Sequence, residues 1–237
     1  MLGLYIGIIL LLNIPYVQHR MSVLVAKELS TVLGSELTVG RINIGLLNRI
    51  IIDDLVLNDQ SGKELLKIGR LSAKFEILPL FSGKISIGNV QLFSFNANLE
   101  RPTPQASTNF QFVLDAFASK DTVKKKSNLD LRINSLLIRR GKVSYDVLSA
   151  ESTPGKFNPQ HIRLSNILAN ISLKALQNDS VNAAIKRMSV EEEHSGFELK
   201  KLSLKIIAND RKMRIENFAI DLPNTSLAMD TIRMEYD

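Results

Sequence analysis

The chain has 237 residues, of which 45% are hydrophobic and 23% charged, with a formal net charge of +6 and no cysteine. That length allows one large or two small domains, and the lack of cysteine excludes a disulfide framework, a thiolate metal site and a cysteine nucleophile. With no Trp and only 6% aromatic residues, the sequence also argues against stacking platforms for single-stranded nucleic acid.

The first seventeen residues, "MLGLYIGIILLLNIPYV", are almost wholly apolar, with a continuous run through Leu2, Ile6, Ile8, Ile9, Leu10, Leu11 and Leu12. As a helix they would span about 25 Å, just short of the roughly 30 Å hydrocarbon core of a bilayer. No basic residue precedes the run and no small-x-small cleavage site follows it, so it reads as a retained signal anchor whose true start lies upstream. Residues 18–35 follow as an amphipathic helix. Met21, Leu24, Val25, Leu29, Val32 and Leu33 are expected on one face, and Gly34 is placed to end the helix in the left-handed conformation.

From Glu36 onward the pattern is alternating and strand-like, punctuated by Asp59, Gly62, Gly83 and Gly141. The alternation keeps slipping by one residue. Leu37 and Val39 share one parity, Ile42 and Ile44 take the other, and Leu55 and Leu57 shift again. A recurring unit, apolar-x-apolar-x-x-apolar-x-apolar, fits Ile85, Ile87, Val90 and Leu92, and fits Met213, Ile215, Phe218 and Ile220 equally well. Because side chains change face at each residue, two intervening residues would turn the second half outward. β-Bulges are expected to absorb the slip and hold a single apolar face on a long antiparallel sheet. One further helix is expected at 109–118, with Phe110, Val113, Leu114 and Phe117 on one side and Thr108 as N-cap. Residues 36–119 thus form a first β module with its capping helix, 120–128 a basic linker, and 129–237 a continuation of the same strand rhythm.

No catalytic or cofactor motif is present. The three histidines are isolated, "EEEH" (Glu191 to His194) reads as a turn, and Asp53-Asp54 sit at a strand slip, facing water. Neither a phosphate loop nor a nucleophile elbow occurs. The sequence therefore predicts no enzyme, no cofactor and no metal. The basic clusters "KDTVKKK", "RRGK" and "RKMR" read as solvated turns and outer strand faces, with anionic lipid headgroups as the alternative partner and no nucleic acid.

The order of these elements carries a resemblance. An apolar N-terminus leads into "ELTVGRINIGLLNRIIIDDLVLND", then "LLKIGRLSAKFEILPLFSGKISIGNVQLF", then "NFQFVLDAF". Over roughly Tyr5 to Phe117 this resembles the N-terminal part of the TamB/AsmA-like envelope proteins of diderm bacteria. The resemblance implies a single-pass inner-membrane anchor, a periplasmic body and a long twisted antiparallel sheet open along one side. The apolar groove of that sheet would conduct phospholipid acyl chains toward the outer membrane, with an outer-membrane β-barrel as partner in the TamB branch. Ile42, Ile44, Leu55, Leu57, Leu71, Phe75, Ile85, Ile87, Val90 and Leu92 are the expected groove lining. The alternative is a structural or chaperone-like scaffold that holds a barrel partner or protein client by strand addition.

Overall fold

The structure, a computed structural model, describes residues 3, 7, 10–45, 48–75, 85–118, 129–177, 180–209 and 211–235. Ten strands form one sheet in strict chain order: β1 (Leu37–Gly45), β2 (Arg49–Asn58), β3 (Glu64–Phe75), β4 (Ile85–Arg101), β5 (Leu129–Val147), β6 (His161–Gln177), β7 (Ser180–Glu192), β8 (Phe197–Asn209), β9 (Lys212–Asp221) and β10 (Ser226–Glu235). Each strand contacts only its neighbours in the sequence, so the sheet is open and β1 does not meet β10. Among the helices of the described residues, two pack against it, α1 (Pro15–Leu33) and α2 (Gln111–Ala118).

The sheet is mixed rather than purely antiparallel. β4 and β5 run parallel, whereas every other pair is antiparallel. Hairpins join antiparallel strands in a few residues, but a parallel pair needs a crossover of a dozen or more, usually helical. The segment containing α2 is that crossover, so the polar stretches flanking the helix belong to a connection that returns the chain to the same end of the sheet.

The slips are taken up differently in the two halves of the sheet. At the β4 slip between Ile87 and Val90 the expected irregularity appears, the register shifting against both β3 and β5. Along the row of Gly40, Asp54, Gly69 and Ser94 the register from β1 to β4 instead runs through the slips without a break: Val39 pairs with Leu55 and Arg41 with Asp53, then Leu55 with Ile68 and Asp53 with Arg70. No bulge is needed, because each strand slips in the same row as its neighbour. Among the described residues six non-glycine residues have positive φ; Asn48 lies in the β1–β2 turn, and the other five, Asp54, Ser94, Arg140, Asn166 and Asn217, are each the second residue of a slip. A left-handed residue costs roughly 1–2 kcal/mol, and here it resets the side-chain phase. Leu37 and Ile42, five positions apart and so of opposite parity, are both buried. Between β5 and β9, where the slips of neighbouring strands fall at different heights, the expected bulges do appear as register shifts.

Glycines stand where the left-handed residues crowd the adjacent strand. A Cβ on Gly40 would lie 3.0 Å from Asp54 Cβ, and one on Gly69 would lie 3.3 Å from Ser94 Cβ. Gly141 is tighter still, since its Cβ would fall 2.2 Å from the Phe95 ring. The aromatic ring thus covers the bare glycine backbone across the β4–β5 interface.

α1 begins at Pro15, after a turn at Asn13-Ile14, rather than at residue 18. Proline at the first helical position loses no hydrogen bond there, because that N–H has no intrahelical acceptor. Gly34 ends the helix with φ 63°. The face turned inward differs from the expected one: Ser22, Ala26, Leu29 and Leu33 are packed, whereas Leu24 and Val32 are exposed. Small side chains bring the helix close to the edge of β1. Ser30 Oγ accepts from Leu37 N at 2.9 Å and donates to Leu37 O, and Asn13 Nδ2 donates to Ile44 O at 2.8 Å. The N–H and C=O of Leu37 and the carbonyl of Ile44, on the edge strand, are thereby occupied.

If Gly141 is retained for the Phe95 ring, Gly141→Ala should lower unfolding free energy by about 1–3 kcal/mol through overpacking, and adding Phe95→Leu should recover part of that loss. Gly88→Ala, where the nearest atom lies 3.5 Å away, should be neutral or stabilising by up to about 1 kcal/mol. Urea denaturation of the three variants checks both.

Candidate functional site: an uncovered apolar face

Chain pairing assembles one apolar row across all ten strands. It runs from Ile42 through Ile52, Leu71, Leu92 and Ile138 to Ala169, Met188, Leu202, Ile220 and Leu227, each residue paired with the next. Nine strand spacings of about 4.8 Å give it a length of roughly 43 Å. A second row lies one pair of residues away: Ile44, Ile50, Ala73, Val90, Leu136, Ile171, Ile185 and Leu204.

The opposite face holds ions. Arg70 Nε lies 2.6 Å from Asp53, Lys205 Nζ lies 2.7 Å from Glu216, and Arg214 Nε lies 3.0 Å from the same carboxylate. Asp53, expected to face water, is therefore half-buried in an ion pair, while Asp54 is exposed.

Cover over the apolar face is confined to one corner. Leu33 of α1 and Val113 of α2 pack on Leu37, Leu57 and Leu65, with Leu29, Leu99, Phe110 and Phe112 around them. Asn109 fastens α2 there. Its Nδ2 donates to Asn98 O at 3.1 Å and to Asp59 Oδ2 at 3.4 Å, and its Oδ1 accepts from Glu100 N at 3.0 Å. Thr108, the expected cap, instead offers its carbonyl to Gln111 N. From β5 to β10 no second sheet or helix overlies the rows among the described residues, although Ala169 is buried and Leu136, Ile138, Leu202, Leu204, Ile215 and Ile220 are half-buried. An amphipathic sheet ordinarily buries such a face against another layer.

The expected lining residues divide accordingly. Leu57 lies beneath the helices at 3% exposure, in a closed core rather than an open groove. Ile42 and Leu55 are also buried, whereas Ile44, Leu71, Val90 and Leu92 are half-buried. Phe75, Ile85 and Ile87 hold places in β3 and β4, and their side chains lie outside the described part. Leu2, Ile6, Ile8 and Ile9 of the apolar N-terminus likewise lie outside the described residues. Leu10, Leu11 and Leu12 are helical, with Leu10 66% exposed. No described helix is long and apolar enough to cross a membrane.

The rows of β5 to β10 were not singled out from sequence as site residues, although the same slipped code marks them. Also overlooked was Glu192. It is 3% exposed and closes the β7–β8 turn, accepting from Ser195 N at 2.8 Å, His194 N at 3.2 Å and Arg163 N at 3.3 Å, and from the Ser195 hydroxyl. Burial pushes its carboxyl up, but these donors outweigh burial and hold it at about 2.

No protein-family model matches the chain, and no curated protein matches its sequence.

Two expectations follow from this geometry. Leu57→Lys should destabilise the domain by several kcal/mol, because the ammonium would be buried without a partner. Leu202→Lys should cost much less, because its tip reaches water; thermal melts compare the two. For Glu192, a folded-state pKa below its ordinary value of 4.5 stabilises the native state above that pH. The contribution, on the order of 2 kcal/mol, is lost as pH falls from 4.5 toward 2. Urea midpoints should fall across that window in the wild type and change less in Glu192→Gln.

Proposed function

We propose that the uncovered face is a conduit for phospholipid acyl chains, carried by a protein anchored in the inner membrane of a diderm envelope with its sheet in the periplasm. The observation that supports this most is the apolar row that pairs without a break across ten strands and that no described helix or second sheet overlies from β5 to β10. An apolar surface of that extent calls for an occupant. Acyl chains suit it, at roughly 0.8 kcal/mol per buried methylene, and lie along it without any directional bond. Such a conduit requires no catalytic residue and no cofactor. The family resemblance over the first half of the chain points the same way. So do the exposed apolar residues on either side of the turn before α1, Leu10, Leu11, Ile14 and Tyr16, where Arg20 stacks 5.5 Å from the tyrosine ring. A tyrosine–cation pair of that kind suits a membrane–water boundary.

The test is lipid analysis of the full chain extracted from membranes in mild detergent. The wild type should retain phospholipid, and a Leu202→Asp/Leu204→Asp variant should retain at least about threefold less while keeping its β-sheet circular dichroism spectrum. A folded variant with undiminished lipid, or a wild type without lipid, contradicts the proposal.

A further inference from the structure

His161 opens β6, and both nitrogens of its ring meet acceptors. Nδ1 lies 2.9 Å from Asp146 Oδ1 on β5, and Nε2 lies 3.0 Å from the carbonyl of Ala150 in the β5–β6 loop, residues 148–160. A neutral imidazole carries one N–H and one bare lone pair, so it can serve only one of these oxygens. Only the imidazolium donates to both. The ring is 14% exposed, which leaves little room for water to replace a lost partner.

The groups around the ring favour its charged form. Asp146 is also held through its other oxygen, 2.7 Å from Arg163 Nη2. Burial pushes the Asp146 carboxyl up, but the bonds from Arg163 and His161 outweigh burial and hold it below its ordinary value. For His161, the Asp146 bond and then the Ala150 carbonyl raise the ring above its ordinary 6.5, against partial burial and the Arg163 charge. His194, at the β7–β8 turn, meets the backbone rather than the ring: its Nδ1 lies 3.2 Å from the His161 carbonyl and 3.9 Å from Glu192. Glu151 and Lys156 of the loop itself are exposed.

Among the described residues the ring is the one donor to the Ala150 carbonyl. The loop is otherwise fastened by Leu148 N on Arg101 O, at 2.9 Å, and by Asn158, whose Nδ2 donates to Glu151 O at 3.1 Å. Leu148 also forms one wall of a cleft of about 500 Å³ between α2 and the β2–β3 turn.

We propose that His161 is a proton-operated clasp, which as the imidazolium ties the β5–β6 loop to β5 and on losing its proton lets the Ala150 carbonyl go. The carboxylate is the stronger acceptor and keeps the remaining N–H, so the loop contact is the one that opens. Because the folded-state pKa is raised, the clasp is fully closed below 6.5 and opens as pH rises through the folded value. The inference stands apart from the lipid reading, since it uses neither apolar row.

The chain has no cysteine, so Glu151→Cys places a single nitroxide on the loop of the full chain in detergent. Electron paramagnetic resonance reads the ratio of mobile to immobile label, and proton NMR follows the His161 ring, both from about pH 5.5 to about pH 9. The ratio should rise about tenfold, the scale of one charge-assisted hydrogen bond. Its midpoint should match the His161 titration and lie above 6.5. In His161→Gln the ratio should stay at one value throughout, and in Asp146→Asn the step should move to lower pH. His194→Gln should leave the step where it was. A wild type without a step, a midpoint at or below 6.5, or a step that persists in His161→Gln overturns the proposal. So does a step unmoved by Asp146→Asn or abolished in His194→Gln.

Discussion

A β-strand turns its side chains to alternate faces, and this chain breaks that alternation in strand after strand while still presenting one apolar side. The rest of the structure depends on how that conflict is met. Along the row of Asp54 and Ser94, from β1 to β4, each strand slips beside its neighbour, so the hydrogen-bond register absorbs no surplus residue there. The local burden falls on left-handed residues such as Asp54 and Ser94, and on the glycines facing them, Gly40 and Gly69. Where the slips drift out of line, between β5 and β9, the register shifts instead. Both devices reach one end: residues of opposite parity on the same side.

That outcome also explains the tolerance of the sheet for a parallel pair. Reversing a strand with a symmetric code leaves the row intact, so the crossover through α2 interrupts nothing between Leu92 and Ile138. The crossover then places α2 beside α1, and together they close one corner over Leu57 and Leu65. Cover ends there. The remaining rows are half-buried for most of their length with no described element over them from β5 to β10, and on this the proposal of an apolar, non-directional ligand rests.

Much of the fold was legible in the sequence. Period-two patterning with glycine and asparagine turns located the strands, and Gly34 marked the end of α1. Strand direction was not legible at β4–β5, because a palindromic code carries no directional information and the length of the crossover was the only clue. The inward face of α1 was read rightly at Leu29 and Leu33 and misread at Leu24 and Val32, where hydrophobicity alone favoured them. Contact with β1 is instead made by the small Ser22, Ala26 and Ser30, and close approach with a hydrogen-bonded edge outweighs apolar area there. Leu57 has the same alternation as Leu92, and only the position of the helices separates a core residue from a surface one. Glu192 could not be told from Glu191 and Glu193, since its burial follows from where the β7–β8 turn folds back on Arg163 and Ser195.

The central claim is that one face, and only that face, meets acyl chains. Photo-crosslinking in intact membranes tests it directly, with benzoylphenylalanine placed at Leu92, Ile138 or Leu202 and, for comparison, at the adjacent Gln91, Leu137 or Ser203, whose side chains point the other way. The account predicts lipid adducts from the first set and none above background from the second. Equal labelling from both sets, or adducts only to protein from the first, would contradict it.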